Sequence, residues 1–226
     1  MNNWFHQFFT HSWRPKETPN ASGLEATHSP VNCQAINASS GRADASRRVA
    51  EFAASAPNCI CELHTSSPHS PQPVTNDETV TRFLFSPIHV SKDGKTVRPA
   101  AFSHVVAKGC SVQRESLATL AELEVWLSGY QQYNSAHQWV GTLPGNCGAL
   151  RLVQLDGKAQ RALAVYDTAE PANQAHAEIF QTEYVIEESD RAEVRAALFK
   201  IFNNGILVAP QSYRGGELLN RILKVG

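Results

Sequence analysis

Val80-Thr-Arg-Phe-Leu-Phe-Ser-Pro-Ile-His-Val90, followed by Pro99-Ala-Ala-Phe-Ser-His104 and Gly109-Cys-Ser-Val-Gln-Arg114, is the stretch on which the reading of the fold turns. Val80–Phe85 is rich in β-formers, and Pro87 ends or edges the run. Lys92-Asp-Gly-Lys95 is a turn signal, so Thr81–Val90 and Thr96–Val106 are expected to pair. A helix is expected from Glu115-Ser116, with Leu117, Leu120 and Leu127 on its 3.6-residue period, ending near Gly129. Tyr130–Gly148 reads as a loop. Leu150–Leu155 and Ala162–Tyr166 read as a hairpin turning at Asp156-Gly157, and Glu183–Ile186 as a further strand. Asp190 and Glu193 open a last long helix with Val194, Leu198, Ile201 and Phe202 inward, stopped at Asn203-Asn-Gly205. Strands and helices mixed without repeating βαβ units predict an α+β fold: one compact domain over 78–226, with an antiparallel-rich sheet and two or three helices.

Upstream the texture differs. Seven of the twelve prolines and five of the nine histidines lie within residues 1–77, among many Ser, Thr and Asn. Such composition buries too little apolar area to offset chain entropy, so a largely disordered leader is expected. Within it, the alanine-rich run near 43–55 is helix-capable, and Ser66–Pro73 reads as a linker. Trp4, Phe5, Phe8 and Phe9 form a short aromatic segment suited to docking on a partner or a membrane surface. No run approaches the roughly 18–20 apolar residues that span a bilayer.

The 226 residues carry 20 basic and 21 acidic side chains, a formal net charge of −1. That balance argues against a generic nucleic-acid coat. Five cysteines form no C-x-x-C pair and leave an odd count, which favours reduced thiols in a cytoplasmic protein. Cys59-Ile-Cys61, with His64 and His69 after it, needs Cys33 across a long loop to complete a zinc set, so no metal site is expected.

The chemistry-bearing residues fall in two places. Arg82 and Arg114 are candidates to bind phosphate or carboxylate by forked hydrogen bonds, and His104 and His176 are candidates to move protons near neutral pH. Glu178, and Cys110 paired with His104 or His176 as a thiolate nucleophile, complete the catalytic candidates. Each has a structural alternative: the histidines capping buried carbonyls, the arginines paired with Glu115 or Asp167, Cys110 as a small buried hydrophobe. His176-Ala-Glu178 has the H-x-E of zinc deaminases, but no cysteine follows Cys147 to supply the remaining ligands, and that reaction is excluded.

Two resemblances bear on these residues. Gln181-Thr-Glu183, with Arg82 on an early strand, resembles the Q-x-E and leading arginine of ADP-ribosyltransferases, which implies a glutamate orienting the nucleophile at a ribose. The middle S-T-S of that family is missing, with Ser103 and Ser128 the nearest candidates. Arg82-x4-Pro87, Gly94, Pro99-Ala-Ala-Phe102, Ser111-Val-Gln-Arg114 and Asn173-Gln-Ala-His-Ala177 together resemble an ordered pattern in small bacterial proteins of unassigned role. That resemblance implies a common fold and pocket, and names no activity. The expected function is therefore a cytosolic ligand- or partner-binding protein, an accessory component of a bacterial multi-gene system, centred on Arg82, His104, Arg114 and His176. The alternative is an enzyme acting on a nucleotide or nucleic-acid phosphoester. No cofactor is named by any motif.

Overall fold

The computed structural model describes residues 61–63, 65, 67–91, 96–106, 109–182, 185 and 187–202. The aromatic N-terminal segment, the expected helix near 43–55, Glu183 of the Q-x-E pattern and the tail from 203 lie outside the described residues. The fold is α+β. Five antiparallel strands, β1 (Thr79–Ser86), β2 (Cys110–Arg114), β3 (Gln138–Asn146), β4 (Leu163–Asp167) and β5 (His176–Gln181), form one sheet in the order β3-β1-β2-β5-β4. Around it lie a 3-10 helix (Pro99–Val106) and three α-helices: α1 (Leu120–Tyr133), α2 (Cys147–Arg151) and α3 (Glu188–Phe202).

β1 is buried from Val80 to Phe85 because it is covered on both faces. Alternation turns Val80 and Leu84 to one side, where Cys110, Val112, Leu143, Val165, Ala177 and Ile179 join them. Against that face pack Phe102 and Val105 of the 3-10 helix, Leu150 of α2, and Val194, Leu198 and Phe202 of α3. Phe83 and Phe85 turn the other way and meet Trp139, Leu123 and Leu127 beneath α1. A near-continuous apolar strand is the signature of that double cover.

Several expected elements differ. Thr96–Val106 does not pair as a strand: beyond a single bridge between Val90 and Val97, the chain coils into the 3-10 helix. The expected loop at Tyr130–Gly148 holds the rest of α1, all of β3 and the start of α2. Leu150–Leu155 forms no hairpin arm, since only Gln154 and Arg161 bridge there. The last helix stands close to its expected place, with Asp190 accepting from the Glu187 N–H at its start.

The described residues between 61 and 77 also belong to the folded body. Cys61–Leu63 forms a 3-10 turn, and Glu62, Ser67 and Val74 are buried. Described residues of the expected linker, 67–73, run as a strap held by polar contacts: Ser67 donates to the Ala169 carbonyl, and Arg114 reaches the carbonyls of Gln72 and Pro73.

Candidate functional site

β3 pairs with all eight residues of β1, whereas β2 pairs with it only at Val80↔Arg114 and Thr81↔Gln113. Beyond Thr81 the two strands part and leave a wedge in the sheet. Backbone groups along a buried wedge need partners, and two side chains supply them. The His89 ring accepts from the Phe85 N–H through Nδ1 at 3.2 Å and bonds the Phe83 backbone, while the His89 N–H donates to the Phe85 carbonyl at 2.8 Å. Arg82 donates from Nε to the Ala101 carbonyl at 3.1 Å and from Nη1 to the Ser111 carbonyl at 2.7 Å. A bulge between Leu84 and Phe85 lies beside the His89 ring.

Arg82 is 7% exposed, yet it faces no carboxylate, and three of its five N–H groups meet no acceptor among the described residues. Its charge acts on the residues around it. Burial first, then Arg82, His104 and His137, push the His89 imidazole down to about 3, so His89 is neutral at ordinary pH. Burial pushes the Tyr130 phenol up, and Arg82 partly offsets it. Tyr130 stacks on Phe85 at 4.1 Å between ring centroids, and its hydroxyl lies 3.2 Å from His137 Nδ1. The wedge therefore holds one buried cation and one neutral imidazole, while Tyr130 packs with Phe83 and Phe85 on the other side of β1.

The four residues expected to form one binding centre do not share a cleft. Arg114 points to the strap and is 0% exposed. All five of its N–H groups are committed: Nε and Nη2 form a fork on Glu78 at 2.8 and 2.7 Å, and the rest go to Ser70, Gln72 and Pro73. It closes the strap onto the sheet and has no donor left for a ligand. Neither Glu115 nor Asp167 is its partner: Glu115 instead accepts from the Thr81 hydroxyl at 2.6 Å. His104 lies exposed near the end of the 3-10 helix, close enough to His89 for its charge to act there.

His176 pairs with Gln113, which puts it on the sheet face opposite Val80 and Arg114. Its Nδ1 lies 2.9 Å from both the hydroxyl and the carbonyl oxygen of Thr168. Donation to that carbonyl places the proton on Nδ1 and leaves the Nε2 lone pair as an acceptor. Beside it the Gln113 Oε1, in a side chain 2% exposed, has no donor. Glu178 shares this face but leans over Gly109, where a Cβ would lie 3.2 Å from its carboxyl carbon, and so away from His176.

Cys110 is wholly buried beside Val112 in the core, and burial pushes its thiol up, with Arg82 opposing and Glu178 reinforcing. Among the described residues no three His, Cys, Asp or Glu side chains gather as a metal set.

Tyr130 and His137 are absent from the sequence candidates because they fall in the expected loop. The i, i+4 spacing of Trp126 and Tyr130 is the available signal: on a helix it puts both rings on one face, and here they meet Phe85. No family model, curated protein or solved structure matches the chain. No helix among the described residues is long and apolar enough to cross a membrane.

Proposed function

We propose that this protein binds a small anionic ligand, a phosphate or carboxylate, at Arg82 in the wedge between β1 and β2. The observation that carries the reading is a guanidinium 7% exposed that has no carboxylate partner and three N–H groups without acceptors among the described residues. No Arg82 nitrogen is among the buried side-chain atoms that lack a partner, so its open N–H groups reach solvent, and an anion with two coplanar oxygens would meet them through forked hydrogen bonds. His89 stays neutral and leaves the positive charge to Arg82. A cytosolic setting and a role beside a protein partner in a bacterial system are part of the same reading.

Thermal shift with inorganic phosphate, sulfate and acetate tests it. The wild type gains melting temperature with at least one of them, reaching about 2.7 kcal/mol at a hundredfold excess over Kd, and Arg82→Met gains nothing. A wild type that does not respond, or an equal response in Arg82→Met, refutes the proposal.

The second reading is an enzyme acting on a phosphoester, and the His176 tautomer favours it. An Nδ1 proton held by the Thr168 carbonyl supports an Nε2 lone pair serving as a general base beside Gln113. Turnover of a generic phosphodiester that vanishes in His176→Gln, with the melting temperature kept, would decide for it. Equal turnover in the variant would decide against.

A further inference from the structure

The face of the sheet turned away from Arg82 carries an unspent hydrogen-bonding pair. Thr81 pairs with Gln113, Gln113 pairs with His176, and His176 reaches Thr168 just past β4. Alternation puts these side chains on one face, so they form a single polar row across the strands. All four are buried. Thr81 is engaged with Glu115, and His176 Nδ1 with Thr168. What remains lies between Gln113 and His176, which as direct cross-strand neighbours have Cβ atoms about 5 Å apart. Gln113 Oε1 is enclosed and meets no donor among the described residues. Neither Gln113 Nε2 nor His176 Nε2 is among the buried side-chain atoms that lack a partner, so both reach solvent. An enclosed carboxamide oxygen without a donor is rare in a side chain that serves only the fold.

We infer that the Gln113–His176 pair is a second binding site, and that it takes a planar amino group beside an acceptor: a primary carboxamide, or the amino edge of adenine or cytosine. The count of donors and acceptors sets the class. An –NH2 group has two hydrogens, one for Gln113 Oε1 and one for His176 Nε2, and the adjoining carbonyl oxygen or ring nitrogen accepts from Gln113 Nε2. The glutamine half of that match is the paired bond by which Gln reads an adenine edge. An ester, or a ring without the amino group, leaves both acceptors bare, and a site built to hydrogen-bond its ligand rejects such analogues strongly. Glu178, two residues along β5 on the same face, sets a carboxyl group nearby and disfavours an anion. His176 acts here as a binding group, whereas the phosphoester reading makes it a base. The Arg82 reading concerns the opposite face.

Calorimetric titration of the full chain tests the inference. Benzamide is compared with methyl benzoate, adenine with purine, and inorganic phosphate serves as the anion. In the wild type at least one amino-bearing probe binds about tenfold or more tighter than its control. Gln113→Met removes both amide atoms at similar volume. His176→Asn keeps a side-chain N–H for the Thr168 carbonyl and removes the Nε2 lone pair. Each variant cuts the preference below about threefold. Gln113→Met also melts at or above the wild-type temperature, because it replaces an enclosed oxygen without a donor by apolar atoms.

Equal affinity for the amino-bearing probes and their controls overturns the inference, and so does a preference that persists in both variants. A Gln113→Met chain that melts well below the wild type overturns it too, since the carboxamide then serves the fold. All three results leave the Arg82 reading standing. Phosphate binding that is lost in His176→Asn gives this face to an anion and overturns the inference in favour of the phosphoester reading. The benzamide and adenine arms distinguish a carboxamide from a nucleobase edge.

Discussion

Arg82 and Arg114 differ in what surrounds their charge. Arg114 is spent on Glu78 and the strap carbonyls. Burial works to raise the Glu78 carboxyl, but the Arg114 fork, the Thr75 N–H and the Ser116 hydroxyl outweigh it and hold the group below its ordinary value. Breaking that pair on one side strands a buried charge, so Arg114→Met alone is expected to cost about 3–5 kcal/mol. Arg114→Met with Glu78→Gln should cost less than the sum of the two single changes, as a double-mutant cycle in urea will read. His89 adds a pH signature. Its pKa falls from 6.5 unfolded to about 3 folded, so the unfolded chain binds the extra proton first. Stability from this residue is complete above about pH 6.5 and drains as pH falls towards 3, by up to about 1.4 kcal/mol per unit. His89→Gln should be less stable at pH 7.5 and should lose less on acidification than the wild type between pH 6.5 and 4, measured by urea midpoints. Identical slopes would show that His89 does not titrate on unfolding.

At the scale of elements, a few polar side chains determine where helices begin. Apolar period alone starts α1 at Glu115-Ser116, but the cap is Thr119, whose hydroxyl accepts from the Glu122 N–H and lies 2.7 Å from the Glu122 carboxylate. That Thr-x-x-Glu box is legible in the sequence, and Leu117 draws the boundary away from it. Thr119→Ala should lower stability by about 0.5–2 kcal/mol, in the same urea assay. β3 escapes detection for a different reason: Gln138–Asn146 contains Pro144 and two glycines, which normally argue against a strand. It lies at the sheet edge, where Pro is tolerated, and Gly145 is small because Phe202 of α3 lies 2.7 Å from where its Cβ would be. Gly145→Ala is expected to cost about 1–3 kcal/mol by overpacking that contact.

For the molecule as a whole, the described segment just before β1 is fastened by arginines at two points. Arg114 holds residues 70–73, and Arg151 donates to Asn76 and to the carbonyls of Val74 and Val165. Glu62, 1% exposed, pairs with Arg151 and Arg161 and accepts from the Val165 N–H at 2.7 Å. A chain begun at Thr79 should therefore be markedly less stable than one begun at Cys61, and Glu62→Ala should cost about 3–5 kcal/mol by leaving Arg151 without its carboxylate. Equal melting of the two truncations would show that the strap adds nothing to the fold. Composition points the other way here, because Ser, Pro and His predict an unanchored segment when the groups that bind it lie elsewhere in the chain.

Local pattern alone was enough for the α+β class, the β-forming run at Val80–Phe85 and the final helix with Val194, Leu198 and Phe202 inward. Apolar periodicity is a short-range property, and it survives whatever the rest of the chain does. Which arginine is spent and which is open, that His176 and Arg114 lie on opposite faces, and that β1 and β2 part after two rungs were decided only on folding. Those outcomes depend on pairing register and on partners some 20–100 residues away, and a one-residue change in register exchanges the faces of every side chain in a strand.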